Sequence, residues 1–445
     1  MFSHLPCIYG CQCIIENVLY KDIINRISYL RSNLLSNPFI LVFYKVFSTK
    51  ILGYILHLAG GIIVARTLGA EGKGQVAVAL SFLGLIGFLD FGLPMANTYY
   101  LNKKINQKNN GSILYTNTIL VWFLTASIVL VIAVAFMTWI KPRYYRGITE
   151  FVVYISLLQL FFASFKVHAL AFLRGLERFT DYNLVILISA FIYVVVLLVG
   201  VFLDICTVEY VIVAVLISTL CSSVFAWWQL RSEVSFKVFN FDFRTLKIGM
   251  WYGAREFVGG VINRLNFKFD ILILANFISV EALGVYSVAE AIISMFDFVA
   301  ASIGVIIVPK LIRETKKSRI KTLFKSFGLF ILLYCIGWGL FALVGEKLIV
   351  LIYGNEFAKS YLYSNILLAG GVFFGLTMLM NKLFSSVGRP ELKSLSRLLV
   401  MPLKLGSMYL LVKHMDVVGA SISWSFTAIM LFVFTLLIFN RIKNV

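Results

Sequence analysis

Charged residues are scarce in this chain. They make up 14% of its 445 residues, whereas soluble domains carry about 25%. The hydrophobic share is 60%, and the mean hydropathy is +0.91. One soluble core cannot absorb this much apolar sequence. The composition therefore argues against a soluble enzyme and predicts a polytopic, all-α membrane protein.

Acidic residues are scarcer still. Asp and Glu number 21 against 40 Lys and Arg, which gives a formal net charge of +19. A protein that binds nucleic acid would cluster its cations on a polar domain. Here the cations fall in short stretches between apolar runs, so we expect no nucleic-acid partner and interpret the charge as a marker of membrane topology.

Features typical of several other classes of protein are missing. The cysteines near the N-terminus (CIYGCQC) match no zinc pattern. The glycines of LGAEGKGQ lack the spacing of a phosphate-binding loop and are typical of a tight turn. We therefore expect no metal, no cofactor and no ATPase. Residues 1–38 show no cleavable signal peptide and are interpreted as a cytosolic or interfacial extension.

Twelve apolar segments are long enough to cross a bilayer. The connections between them are too short for a catalytic domain, so we expect no enzyme. The predicted spans are 45–66, 75–101, 113–140, 151–173, 182–204, 210–230, 249–278, 282–310, 324–345, 361–384, 396–413 and 417–440.

The basic residues give these spans an orientation. Most Lys and Arg fall in the N-terminus, the even-numbered loops and the C-terminus, and the most basic connection is predicted at 310–325. Because cytoplasmic loops carry the excess of Lys and Arg, both termini are predicted to be cytosolic.

The two halves of the chain resemble each other. Segment 65–94 aligns without a gap on segment 275–304, an offset of 210 residues (275 − 65). The matched residues are Ala65, Glu71, Gly74, Val78, Ala79 and Phe88, which meet Ala275, Glu281, Gly284, Val288, Ala289 and Phe298. We predict two pseudo-symmetric six-helix halves, 39–240 and 241–445, around a central cavity.

The seventh predicted span carries far more charge than a lipid-facing helix tolerates, since each charge at the bilayer centre costs about 2.5–3.5 kcal/mol. Its polar side chains fall outside one apolar arc of the helix, which favours a face on a water-filled lumen. Two alternatives are an interfacial position for Arg255 and Glu256 and a dry ion pair that involves Arg264 and Lys268. The polar residues in question are Arg255, Asn263, Arg264, Asn266, Lys268 and Asp270.

Other spans add polar groups, each of which also has a purely structural interpretation. Asp90 is predicted to line the lumen, and Lys166 and Lys404 add cations to those of the seventh span. Such cations favour an anionic substrate, for example a phosphate or pyrophosphate. Glu290 and Asp297, together with Asp270 of span seven, would neutralise the cations or carry a coupling proton or sodium ion.

Two stretches carry a resemblance to a known family. Residues 65–101 contain Arg66, Leu68, Gly69 and Gly74, followed by Asp90, Gly92, Leu93, Pro94 and Ala96. Residues 269–292 contain Asp270, Phe277, Gly284, Tyr286 and Ala289. Both resemble motifs of the Wzx-type polysaccharide flippases of the multidrug/oligosaccharidyl-lipid/polysaccharide exporter superfamily.

The resemblance implies a V-shaped bundle of twelve helices in the bacterial cytoplasmic membrane. By alternating access, such a protein carries a lipid-linked (undecaprenyl-pyrophosphate) oligosaccharide for surface polysaccharide biosynthesis. A polysaccharide polymerase and glycosyltransferases are its expected neighbours. The alternatives are a drug or cation antiporter or a peptidoglycan-precursor flippase of the same fold, or a polytopic glycosyltransferase or polymerase.

Overall fold

Long apolar helices dominate the structure, a computed structural model. It describes residues 38–86, 92–102, 108–144, 149–234, 240–254, 274–387, 389 and 391–443. Over these residues the regular structure is helical throughout, with no strand. The helices are α1 (Pro38–Ile86), α2 (Leu93–Asn102), α3 (Lys108–Tyr144), α4 (Glu150–Gly175), α5 (Phe179–Phe202), α6 (Val208–Leu230), α7 (243–254), α8 (Val280–Arg313), α9 (Lys316–Tyr353), a 3₁₀ turn (Asn355–Phe357), α10 (Ser360–Ser386) and α11 (Glu391–Lys443).

Nine helices of the described part of the chain are long and apolar enough to cross a membrane. The membrane class and the all-α fold are thereby confirmed. Two of the nine are divided by one non-helical residue each, Gly69 in α1 (φ 66°) and Asp416 in α11 (φ 47°). Each lies where two predicted spans meet. The total of twelve stays a prediction, because most of span seven lies outside the described residues.

Side-chain caps set the start of three of these helices. The hydroxyls of Thr149, Thr207 and Ser279 accept hydrogen bonds from the third residue beyond, at 3.4, 3.3 and 3.2 Å. A Ser or Thr in this place satisfies one backbone N–H that the first helical turn leaves open. These helices begin within about two residues of the predicted spans, which is within the usual precision of helix ends.

The basic connection predicted at 310–325 is mostly helix rather than loop. Helix α8 continues to Arg313 and α9 begins at Lys316, so only Glu314 and Thr315 join them. The Arg319 side chain donates from Nε to the Leu311 carbonyl at 2.6 Å. The Lys and Arg residues of this region therefore lie at the C-terminal end of α8 and the N-terminal end of α9, beyond the apolar parts of these helices.

Helix α10 holds its neighbours together through small residues. It packs against α8, α9 and α11. A side chain at Gly371 would overlap the hydroxyl of Tyr334, and one at Gly375 would overlap the ring of Phe330. Both aromatic residues lie on α9. By contrast, α9 turns large apolar side chains outward, such as Leu343, which is 81% exposed. A surface of this kind suits lipid and would be unfavourable in water.

The second part of α1 crosses α8 at two glycines. A methyl group on Gly74 would overlap the carbonyl oxygen of Val280, and one on Gly284 would overlap that of Ala70. These two contacts are equivalent under the offset of 210 residues (280 − 70 and 284 − 74). If a two-fold axis relates segments 65–94 and 275–304, residues close to that axis must contact each other in such equivalent pairs. The limits of the halves, 39–240 and 241–445, stay predictions.

We predict that Gly74→Ala and Gly284→Ala each lower the thermal stability of the detergent-purified protein. An added carbon in a packed contact costs about 1–3 kcal/mol, and here the obstacle is backbone that cannot rotate away. The melting temperature can be followed by size-exclusion chromatography with fluorescence detection. Gly339→Ala is the matched control, because a methyl group there meets nothing within 4 Å. A Gly74→Ala protein that melts at the wild-type temperature would contradict the prediction.

Candidate functional site

An open cavity of about 470 Å³ lies beneath this crossing. It is bounded by both parts of α1 and by α4, α5, α6 and α8. Apolar side chains such as Val64, Leu80 and Leu170 form part of its wall, and the rest is polar. Four groups that can carry charge line it: His57, Lys73, Lys166 and Glu290.

Lys166 reaches the cavity from the middle of α4. Its ammonium donates to the hydroxyl of Ser189 on α5 at 3.1 Å. A hydroxyl orients the ammonium without cancelling its charge, and an ammonium has two further N–H donors. The structure places the Lys166 side chain at the cavity, and its role in substrate binding stays a prediction.

Lys73 is a second cavity lysine that sequence reasoning missed. It follows the kink at Gly69, and its side chain folds back along the first part of α1 to donate to the Gly61 carbonyl at 2.8 Å. In the sequence, Lys73 belongs to a stretch interpreted as a tight outer turn. The turn is confined to the kink at Gly69, so Lys73 lies in the helix that follows.

His57 is also a cavity residue that the sequence did not single out. It lies on the first part of α1, with its ring centroid 6.4 Å from that of Tyr193. It is close enough to Lys166 for their charges to interact. A single histidine in an apolar helix does not indicate a site in the sequence. Its position at the cavity becomes evident only from the arrangement of the surrounding helices.

Glu290 faces the cavity from α8, together with Ser287 one turn earlier. Several lining hydroxyls donate to carbonyls of their own helix, at 2.7 Å for Ser287, 2.6 Å for Ser81 and 2.9 Å for Ser218. Their lone pairs remain able to accept hydrogen bonds from a ligand. Two lysines, one carboxylate and a row of hydroxyls therefore suit an anionic ligand that also carries hydroxyl groups.

Asp297 lies away from this cavity, between α8, α1 and α9. It is near enough to Tyr54 and Tyr334 for electrostatic interaction. Both phenols donate elsewhere, to the carbonyls of Ala291 at 3.2 Å and Leu368 at 3.0 Å. One carboxylate oxygen of Asp297, Oδ1, is enclosed and has no hydrogen-bond partner among the described residues.

Lys404 is not among the residues that line the cavity. It lies in the first part of α11, only 5% exposed, and the Ser407 hydroxyl donates to its carbonyl at 3.1 Å. The structure therefore does not bring Lys404 together with Lys166. The other predicted site residues lie outside the described residues: Asp90, Arg255, Asn263, Arg264, Asn266, Lys268 and Asp270.

Several solved structures share this fold, and two of them illustrate it. A multidrug resistance MATE family transporter of the MOP superfamily, in an inward-facing conformation, gives a TM-score of 0.74 at 14% identity and covers 88% of this chain and 94% of that one. The lipid II flippase MurJ, in an inward closed conformation, gives a TM-score of 0.74 at 12% identity, over 90% and 87% of the two chains. The chain therefore has the polytopic helical fold of these two proteins.

The sequence comparisons narrow this class to one family. Residues 42–315 match the family model described as "Polysaccharide biosynthesis protein", so the chain belongs to that family, as the resemblance predicted. A Shigella flexneri protein named "Putative O-antigen transporter" is 23% identical over 380 residues, 82% of this chain and 89% of that protein. The teichuronic acid biosynthesis protein TuaB of Bacillus subtilis (strain 168) is 30% identical over 99 residues, 22% and 20% of the respective chains.

Proposed function

We propose that this protein is a flippase that carries a lipid-linked oligosaccharide across the bacterial cytoplasmic membrane for surface polysaccharide biosynthesis. The observation that carries the proposal is the pair Lys73 and Lys166 in one hydroxyl-lined cavity of a chain from the polysaccharide biosynthesis family. The name of the Shigella flexneri relative supports the same class of cargo.

The cavity chemistry fits the polar part of such a cargo. A pyrophosphate carries several negative charges, and ammonium groups bind it more strongly where water is partly excluded. The hydroxyls of Ser81, Ser218 and Ser287 suit sugar hydroxyls. A volume of about 470 Å³ lies within the usual range of about 300–1,000 Å³ for ligand sites. It accommodates a pyrophosphate and its first sugars, while the lipid tail stays in the bilayer.

The cavity charge weighs against a drug or cation antiporter. Two lysines outnumber the single carboxylate among the described lining residues, so a cationic cargo would meet net repulsion. A peptidoglycan-precursor flippase shares the pyrophosphate chemistry. Complementation of a strain depleted of its own lipid II flippase separates that function from the one proposed here, which predicts no rescue.

We predict that Lys166→Ala and Lys73→Ala each reduce surface polysaccharide at least about tenfold in a deletion strain, because loss of a charge-assisted contact costs about 1.5–3 kcal/mol. The undecaprenyl-linked glycan should accumulate on the cytosolic side. Surface polysaccharide is measured by immunoblot and the glycan by mass spectrometry of extracted lipids.

Lys166→Arg is the matched control for Lys166, since it retains the charge and should retain most transport. Lys347→Ala controls for loss of an exposed cation, because Lys347 lies on the outer surface of α9. Full complementation by Lys73→Ala/Lys166→Ala at normal protein level would refute the assignment of both lysines. The predicted cations Arg264 and Lys268 enter the same assay as Arg264→Ala/Lys268→Ala.

Of the carboxylates predicted to balance charge or couple an ion, Glu290 and Asp297 lie among the described residues, and they have different roles in the proposed transport cycle. Glu290 shares the cavity with the lysines, where its charge offsets theirs. Asp297 lacks a cationic partner among the described residues, and an ionised carboxylate enclosed without one costs several kcal/mol. A bound proton or sodium ion would remove that cost, so Asp297 is the better candidate for ion coupling.

We predict that Asp297→Asn yields a folded protein whose transport no longer responds to an imposed ion gradient. The amide has the same shape but exchanges no proton and carries no charge. Transport of native lipid-linked glycan in inside-out vesicles, with proton and sodium gradients imposed separately, is the measurement. Glu290→Gln should change the amount transported and keep the gradient dependence. Unchanged gradient dependence in Asp297→Asn would remove Asp297 as the coupling residue.

A further inference from the structure

The kink in α1 and the end of α9 are joined by two charged side chains. The Glu356 carboxylate accepts a hydrogen bond from the backbone N–H of Ala70 at 2.9 Å. The Arg66 guanidinium donates from Nε to the Ile352 carbonyl at 2.8 Å and from Nη2 to the Leu351 carbonyl. These bonds link the predicted halves, 39–240 and 241–445, at the same end as the glycine crossing.

Glu356 serves as a helix cap supplied from the other half. The second part of α1 begins after Gly69, and Gly69 aligns with Ser279 under the offset of 210 residues (279 − 69). Ser279 caps its own helix, α8, through its hydroxyl. Glycine has no side chain to do this. The Glu356 carboxylate lies 2.9 Å from where a Cβ of Gly69 would stand and accepts instead from the first backbone N–H of the helix, that of Ala70. A carboxylate at this position also interacts favourably with the helix dipole.

Arg66 provides the reciprocal cap. The last carbonyls of a helix have no partner within the helix and carry partial negative charge. Leu351 and Ile352 lie in the last turn of α9, which ends at Tyr353. The Arg66 guanidinium offsets this charge. Gly354 follows at once, and its φ of 112° is a conformation that favours glycine. Each half thus completes a helix end of the other.

We propose that Arg66 and Glu356 form a latch that holds the transporter closed at the Gly69 end, the outer face in the predicted topology. When the halves separate at this end, the second part of α1 and the end of α9 both lose their caps. The latch therefore favours the conformation open to the other side, and its bonds break each time the outer side opens. This inference rests on the alternating access of the proposed function.

The experiment measures access to the cavity from outside the cell. Ala77 lines the cavity, and Ala77→Cys places a small thiol there. A membrane-impermeant maleimide is added to intact cells, and labelling of the introduced thiol is quantified by mass spectrometry of its own peptide, which leaves the native cysteines irrelevant. Glu356→Ala and Arg66→Ala should each raise the labelling rate about fivefold, the population change expected for loss of one helix cap.

Graded and control variants sharpen the test. Glu356→Gln keeps an acceptor oxygen and should raise labelling less than Glu356→Ala. Glu346→Ala removes an exposed carboxylate from the same helix end, away from the kink, and should leave labelling unchanged.

Two results would overturn the proposal. One is a labelling rate of the introduced thiol that stays at the level of the Ala77→Cys parent in both Glu356→Ala and Arg66→Ala. The other is an equal rise in labelling from both faces of the membrane, which would indicate loosened packing rather than opening at one end. Because the labelling requires no glycan, failure of the latch would leave the cargo assignment intact. Failure of the lysine variants to impair polysaccharide export would equally leave the latch intact.

Discussion

The close backbone contact of the second part of α1 with α8 is the constraint on which the remaining arrangement depends. Gly74 and Gly284 allow two helices to approach until the carbonyls of Val280 and Ala70 fill the space that a Cβ would occupy. Small residues are how helices pack closely where no hydrophobic force drives them together. The cavity with Lys73, Lys166 and Glu290 lies beside this contact.

Two helices in such a contact separate more easily when the hydrogen bonds beside the contact can be replaced by hydrogen bonds to water. The caps from Arg66 and Glu356 have this property, because an uncapped N–H or carbonyl at a helix end can be solvated at modest cost. An apolar seam of equal area would hold the halves together more permanently. The contact between α1 and α8, with its two glycines and two exposed charged caps, therefore suits an interface that forms and breaks. The buried packing around α10 suits helices that move together.

The features that depend on local sequence could be predicted. Thr149, Thr207 and Ser279 begin helices close to where the apolar runs begin, because a cap acts on its own helix. The repeat also pairs Gly74 with Gly284 from sequence alone, although only the structure shows that they touch each other. Lys166 and Glu290 can be chosen as candidate site residues because a charge in an apolar span has few other places to go.

The features that depend on contacts between residues far apart in the sequence, or on the direction of a side chain, could not be predicted. Lys73 looks like part of a turn in the sequence, and only the position of the Gly61 carbonyl shows that it folds back into the cavity. Asp297 and Lys404 carry the same signal as Glu290 in sequence, a charge inside an apolar span, yet neither lines the cavity. Whether a helix turns such a charge toward a lumen or into a packed interior is decided by its neighbours.

The placement of the two carboxylates adds one step to this argument. A transporter of an anionic cargo needs cations in its path, but strong cations also retain the cargo after the outer side opens. Glu290 lies in the same cavity as Lys73 and Lys166, where its negative charge weakens the hold of the lysines on an anion. Asp297 is separated from the lysines and within electrostatic range of Tyr54 on α1 and Tyr334 on α9. Asp297 therefore lies where α1, α8 and α9 meet, apart from the residues proposed to hold the cargo. Under the proposed function, binding strength and conformational change are thus assigned to different carboxylates, Glu290 and Asp297.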